Sequence, residues 1–320
     1  MILIAGAGAI GREYALILKA MGLEFSIVCQ SLQTAKKMQD EFMVSTYSGG
    51  LANHLQHDQH KQQKYQHCII ALPIEILAEN CHIAIESGIA NVLVEKPVAL
   101  DRENIGRLCT AAQNYQANVF VAYNRRFFSS VVKLQKMAQI DGGLSSINFE
   151  FTEWVDKIQW QHKSKALVDN WLIANSSHVI DLAFHLAGEP KNLSSYSVSG
   201  SQTTSLPFVP KSYAGAGITD SGASFSYQAN WDGPGRWCIE CCSKNYRYVL
   251  SPLEKLQIIK RNQVKSEFVD LDDQYDEKFK PGFYHQVDAF LTDKKGLMTL
   301  EQQYHRFLVY QEISEPNQKA

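Results

Sequence analysis

The chain has 320 residues, 45% of them hydrophobic and 20% charged, with a formal net charge of −2. That length allows two ordinary domains, and that composition is the one expected of a soluble globular protein. Near-neutrality gives no electrostatic basis for binding nucleic acid or an anionic membrane, and no apolar run approaches the ~18 residues of a membrane helix.

The opening 21 residues are apolar but carry no basic stretch, so they read as structure and not as a leader. Strand candidates fall at 2–5, 25–29, 68–72, 91–95 and 119–123. Between them lie stripes at helical spacing: Ile10/Tyr14/Leu18/Met21, Leu77/Cys81/Ala84/Ile85 and Ile105/Leu108/Cys109/Ala112, the last with Asp101 placed as N-cap. This rhythm predicts an α/β domain over 1–122 with a doubly wound parallel sheet. After Tyr123 a helix is expected at 129–140, then strands at 146–154, 194–199, 224–231, 236–242 and 246–250, with one more helix at 175–186. Strands in series with few helices predict an α+β domain over 123–320 with an open, mostly antiparallel sheet. Two amphipathic helices close the chain, with stripes Phe283/Val287/Phe290/Leu291 and Leu300/Tyr304/Phe307/Leu308.

Gly6-Ala7-Gly8-Ala9-Ile10-Gly11 follows the first strand and opens the first helix. In that context Gly6 serves the tight turn, Gly8 lets backbone approach a pyrophosphate, and Gly11 lets helix pack on strand. Ala9 and Ile10 present the first helical N–H groups. The fingerprint predicts NAD or NADP. An acidic ribose-binding residue is expected about 20 residues on, but Gln30 stands there, followed by Ser31, Thr34, Lys36 and Lys37. With no carboxylate to repel a 2′-phosphate, NADP is at least as well accommodated as NAD. Ala71-Leu72-Pro73 would line the same cleft.

Val94-Glu95-Lys96-Pro97 ends the fourth strand, where ligands of open α/β sheets bind. Proline holds Lys96 extended, so the amine is rigidly delivered. Tyr123-Asn124-Arg125-Arg126-Phe127 ends the next strand. The polar groups of several neighbouring strands thus converge on one edge.

On these motifs, together with Val98-Ala99-Leu100, His178-Val179-Ile180-Asp181 and the closing helices, the chain resembles the glucose–fructose oxidoreductase/inositol dehydrogenase (Gfo/Idh/MocA) family. The resemblance spans essentially the whole chain. It implies a Rossmann domain plus an open-sheet domain, a nicotinamide cofactor, and hydride transfer at a carbinol carbon of a sugar, inositol or nucleotide-linked sugar. It also implies a homo-oligomer, a dimer or tetramer, formed on the open sheet. Lys96, with a cis bond to Pro97 allowed, would sit beside the nicotinamide and the reacting hydroxyl, and Glu95 beside the cofactor. The family's catalytic histidine falls on His178. An imidazole titrating near neutrality suits the removal of an alcohol proton, and Asp181, three residues on, is expected to orient it. Asn124, Arg125, Asn175 and Trp171 are the accompanying substrate-side candidates. One position departs from the pattern: Ala174 stands where many members carry aspartate. Either Asn175 takes over a substrate-orienting role, or His178 and Lys96 manage the proton alone, or the chain is a cofactor-binding regulator without turnover.

The other constellations read as structural. All five tryptophans, Trp154, Trp160, Trp171, Trp231 and Trp237, lie after residue 123, and most are expected in the core or at an interface. Cys238, Cys241 and Cys242 have no second Cys/His pair nearby, so no metal is expected. His54, His57, His60 and His67 fall in a Gln-rich stretch and are expected on a solvated surface. The seven cysteines, odd in number and mostly within apolar runs, suit buried thiols in a reducing cytoplasm.

Overall fold

The computed structural model describes residues 1–56, 65–200, 206–209 and 211–316. They divide into two compact units: Met1–Asn124 with Lys278–His305, and Arg125–Glu277 with Arg306–Ala320. Among the described residues no helix is long and apolar enough to cross a membrane.

In the first unit β1 (Ile2–Ala5), β2 (Phe25–Val28), β3 (Thr46–Tyr47), β4 (His67–Ile70), β5 (Asn91–Glu95) and β6 (Asn118–Ala122) pair in parallel, in the order β6-β5-β4-β1-β2-β3. A two-residue strand, Met298–Thr299, joins antiparallel at the free edge of β6. The strands are apolar along their length because a parallel sheet is covered on both faces: β1 and β2 are buried throughout, and Val92, Leu93 and Val94 are sealed from solvent. The intervening helices are α1 (Ala9–Ala20), α2 (Leu32–Phe42), α3 (Gly50–Gln56), α4 (Leu77–Glu86) and α5 (Arg102–Tyr115). Asp101 caps α5 as expected, accepting from the Asn104 N–H at 2.8 Å. Ser31 caps α2 in the same way through Thr34 N–H. The Phe283–Leu291 helix packs on α1, where Tyr14 meets Phe283 at 5.1 Å between ring centres.

In the second unit α6 (Ser129–Ile140) and α7 (Ser177–Ala187) accompany an eight-stranded sheet. Its strands are β7 (Ser146–Glu150), β8 (Pro190–Ser199), β9 (Lys211–Thr219), β10 (Ser224–Asn230), β11 (Cys238–Cys242), β12 (Tyr246–Leu250), β13 (Gln257–Lys260) and β14 (Ser266–Phe268). The order is β14-β13-β12-β11-β7-β10-β9-β8, antiparallel except between β7 and β10. Its core is aromatic. Phe149 and Phe225 on the sheet meet Phe184 of α7 edge-on, at 5.6 and 5.1 Å.

Two expectations are corrected. Asp181 does not serve His178: it is sealed from solvent and held by Arg126, whose Nε and Nη2 donate to its two oxygens at 2.7 and 2.6 Å, and by Arg306 Nη1 at 3.2 Å. A buried carboxylate takes the strongest donors within reach, and two guanidinium groups outcompete an imidazole. His54 is not solvated. It is 6% exposed, lies 4.2 Å from the Tyr47 ring, and hydrogen-bonds the Tyr65 hydroxyl at 3.1 Å, because a buried phenol needs a polar partner. His67, on β4, is half-buried against Phe290, and His57 and His60 lie outside the described residues.

Burial pushes the Asp181 carboxyl up, but the two arginines more than offset this and hold it below its ordinary value. Its stabilising contribution is present above the ordinary carboxylate range and is lost as pH falls through the lowered value. Asp181→Ala removes the carboxylate that buried Arg126 grips through two hydrogen bonds, while Arg306 keeps Glu189, and is expected to cost about 3–5 kcal/mol in denaturant unfolding. Nearby, burial and Arg126 push His185 down to about 3, so it is neutral in the fold. Protonation of the unfolded chain at the ordinary 6.5 then weakens the fold progressively from there downward. His185→Gln should flatten the decline of Tm across that window.

Candidate active site

At the C-terminal edge of the first unit's sheet lies a cleft of about 610 Å³, a volume ordinary for a small-molecule site. Gly6, Gly8, Ala9, Ile10, Gln30, Ser31, Leu72, Pro73, Glu95 and Lys96 all line it, together with Ala7, Cys29, Thr34, Ala71, Ile74 and Leu77. The three motif glycines have separable roles. Gly6 has φ +117°, and a Cβ there would stand 2.1 Å from the Ala71 carbonyl oxygen. A Cβ on Gly11 would meet the Gly6 oxygen at the same distance, so Gly11 is buried beneath the cleft and does not line it. A Cβ on Gly8 would meet nothing within 4 Å. Gly8 is also the N-cap of α1, without a side-chain cap and with no acid in the first turn. The opening above it leads straight to helical N–H groups, which suits an anionic pyrophosphate.

At one end of the cleft Gln30 and Ser31 are exposed, and Ser31 and Thr34 begin α2. At the other end stand half-buried Glu95 and Lys96. The Lys96–Pro97 peptide is cis, and Pro97 carbonyl accepts from Gln303 Nε2 at 3.1 Å. Glu95 Oε1 accepts from the Tyr14 hydroxyl at 2.8 Å. Burial raises the Glu95 carboxyl above its ordinary value, against the opposing pull of Tyr14, Lys96 and Lys280. Asn124, also in this unit, is buried and donates its amide to the Pro281 carbonyl at 2.9 Å.

In the second unit His178 begins the first turn of α7 and is 8% exposed. The structure brings it together with Trp237, at 6.2 Å between ring centres, and Arg125 lies over the same indole at 4.7 Å. Asn175 sits on a π-helical turn, Leu172–Ser176, of the kind often found at functional sites. Its Nδ2 donates to both oxygens of Glu153 at 3.0 and 2.9 Å, and Ser176 Oγ donates to the same carboxylate at 2.6 Å. Trp171 turns to a different cluster, meeting Trp160 at 4.8 Å. Sequence reasoning missed Glu153 and treated Trp237 as one tryptophan among five. Glu153 was hidden because the sequence places it inside a strand expected at 146–154, whereas β7 ends at Glu150.

Residues 1–123 match the Gfo/Idh/MocA family model, described as an oxidoreductase family with an NAD-binding Rossmann fold. No curated protein matches the chain by sequence. Among solved structures, a levoglucosan dehydrogenase in complex with NADH and levoglucosan superposes with TM-score 0.77 at 18% identity, over 98% of this chain and 96% of that one. A dehydrogenase from Chromobacterium violaceum gives 0.78 at 17%, over 99% and 94%. UDP-N-acetylglucosamine 3-dehydrogenase GnnA from Acidithiobacillus ferrooxidans gives 0.73 at 16%, over 98% and 96%. At these identities the likeness is one of fold.

The glycine geometry makes a sharp prediction. Gly8→Ala should fold with an unchanged Tm yet bind NADH and NADPH at least about tenfold more weakly by fluorescence titration. Gly6→Ala and Gly11→Ala should fail to give folded protein, since in each the obstructing atom is backbone.

Proposed function

We propose, from the match of residues 1–123 to the Gfo/Idh/MocA oxidoreductase family model, that the chain is an NAD(P)-dependent dehydrogenase. It would move hydride between the nicotinamide and a hydroxyl-bearing or keto carbon of a sugar-like substrate. The observation that carries this reading is a single cleft in which an uncapped helix N-terminus opens over Gly8 and a rigidly held Glu95-Lys96 pair closes the far end. The fold-level likeness to levoglucosan and UDP-N-acetylglucosamine dehydrogenases supports a carbohydrate substrate.

Gly6, Gly8, Ala9 and Ile10 would hold the pyrophosphate, Gln30 and Ser31 the adenosine ribose, and Leu72 and Pro73 the cleft wall. Bound there, the nicotinamide supplies the hydride acceptor or donor. Lys96 polarises the reacting oxygen and exchanges its proton, as an amine at the edge of a buried site can do. His178 is the second acid–base group. Asn175, its Nδ2 held by Glu153, supplies its amide oxygen as acceptor, and the Trp237–Arg125 pair beside His178 supplies donors and an aromatic face for a sugar ring. The seven free thiols, with Cys68, Cys81 and Cys241 fully buried, fit a reducing cytoplasm. A homo-oligomer would use the open face of the second sheet, where Tyr196 and Val198 are exposed two residues apart on β8 and Ile218 is exposed farther along on β9, opposite Asn192.

The test is NAD(P)H formation over a panel of sugars, inositols and nucleotide sugars. Lys96→Ala should lower kcat by about two to four orders of magnitude while the cofactor Kd stays within about twofold. Unchanged turnover in that variant would remove Lys96 from the chemistry, and absence of any cofactor binding by the parent protein would sink the assignment itself.

A further inference from the structure

Behind the Glu95 end of the cleft runs a buried hydrogen-bonded chain that the proposed reaction does not use. Tyr14, on α1, is sealed from solvent and donates to Glu95 Oε1 at 2.8 Å. Its oxygen also meets the amide of Gln286, on the Phe283–Leu291 helix, at 3.3 Å. With that amide turned to satisfy its surroundings, the Gln286 carbonyl accepts the backbone N–H groups of Tyr123 and Asn124 at 3.2 and 3.1 Å, and its nitrogen faces the phenol. Every link is then donor to acceptor: Gln286 to Tyr14, Tyr14 to Glu95. Burial, and then the neighbouring Glu95 charge, raise the Tyr14 hydroxyl well above its ordinary value, so it remains a neutral donor.

The consequence lies at the other carboxylate oxygen. One oxygen of Glu95 is bound from behind, and the residue is half-buried where it lines the cleft. A carboxylate so held is an anionic, acceptor-only wall. It repels phosphate and selects a ligand portion that carries hydroxyl or amide hydrogens. The cleft's other end, at Gly8 and the start of α2, has the opposite character. Taking the proposed cofactor reading as its basis, we propose that Tyr14 is a positioning residue for the nicotinamide–ribose half of the cofactor. It fixes Glu95 so that the second oxygen accepts a ribose hydroxyl or the carboxamide N–H.

Tyr14→Phe removes one oxygen and keeps the ring against Phe283. The charged and titratable groups acting on Glu95 are Tyr14 on α1, Lys96 beside it and Lys280 on the returning segment, and only the first is changed. Binding of NADH and NADPH by fluorescence, and of ADP by calorimetry, separates the two halves of the cofactor. The expected result is a dinucleotide Kd raised about tenfold with ADP within about twofold, and an acid limb of dinucleotide affinity displaced to higher pH. Glu95→Gln should show the same loss without the acid limb, and Tyr14→Phe added to it should cost nothing further. Gln286→Met, which leaves the phenol in place but unlocked, is the second variant, with a loss of the same sign of about threefold.

Unaltered dinucleotide binding in Tyr14→Phe, whatever its Tm, overturns the proposal. So does an equal loss for ADP, which would mean general loosening, and so does additivity with Glu95→Gln. A parent protein that binds neither dinucleotide fails the cofactor reading instead, a result distinct from all of these.

Discussion

Three stretches of backbone meet at the heart of the first unit with no room for a single methyl group between them. Gly6, at the end of β1, lies under the Ala71 carbonyl that follows β4, and Gly11, in the first turns of α1, lies against Gly6. This contact seats α1 on the sheet and aims its uncapped N-terminus across the strand ends. The same seating sets the reach of the next helical turn. Tyr14 comes three residues after Gly11 and shares its face of the helix, so a helix lowered onto the strands at Gly11 also carries the phenol down to Glu95 at the end of β5. The Gly8 end and the Glu95 wall of the cleft thus depend on one backbone approach.

The second unit answers to a different constraint. Arg126, Asp181 and Arg306 come from three distant stretches of chain and meet out of water, with Glu189 as the second carboxylate that balances the two guanidinium groups. Such a cluster adds little stability relative to an apolar core but severely penalises any arrangement that breaks it. It therefore specifies where α7 lies. His178 is three residues before Asp181 and on the same helical face, so the ion cluster fixes the base of the helix that presents the imidazole. The Glu153 carboxylate pins Asn175 and Ser176 on the π-helical turn just upstream.

Much of the first unit was legible because its signals are local. The glycine fingerprint, the apolar strand runs and the Asp101 cap each act within a few residues, and each corresponds to a feature of the fold. What escaped depends on distant partners. β9 contains Gly215 and Gly217, which resemble loop residues in sequence but leave room for the Tyr227 and Phe225 rings of the adjacent strand. Nothing local announces that Met298–Thr299 will pair with β6, or that Gln286 will meet Tyr14. Asp181 misled for the same reason: its spacing from His178 is a local fact, whereas Arg126 and Arg306 become its neighbours only on folding. The site followed this pattern. Motif glycines, Gln30 and the Glu95-Lys96 pair could be read directly, while Glu153, Tyr14 and the Trp237–Arg125 contact needed the third dimension.

The two partly or wholly enclosed carboxylates that organise these units show how their roles can be told apart. Asp181 and Glu95 both suffer burial, which raises a carboxyl. In Asp181 two guanidinium groups overcome that penalty, every strong donor is protein, and the group ends below its ordinary value, as a purely structural anion should. Glu95 receives a neutral phenol, the Lys96 backbone N–H and the more distant pull of the Lys96 and Lys280 charges, and it ends above its ordinary value while half-buried at a cleft wall. A carboxylate left under-compensated beside open space is one whose environment is completed by a ligand. The completing group must donate hydrogen and must not be a phosphate. Under the proposed cofactor reading, that requirement would set a dinucleotide in the cleft with its phosphates over Gly8 and its uncharged ribose end toward Lys96.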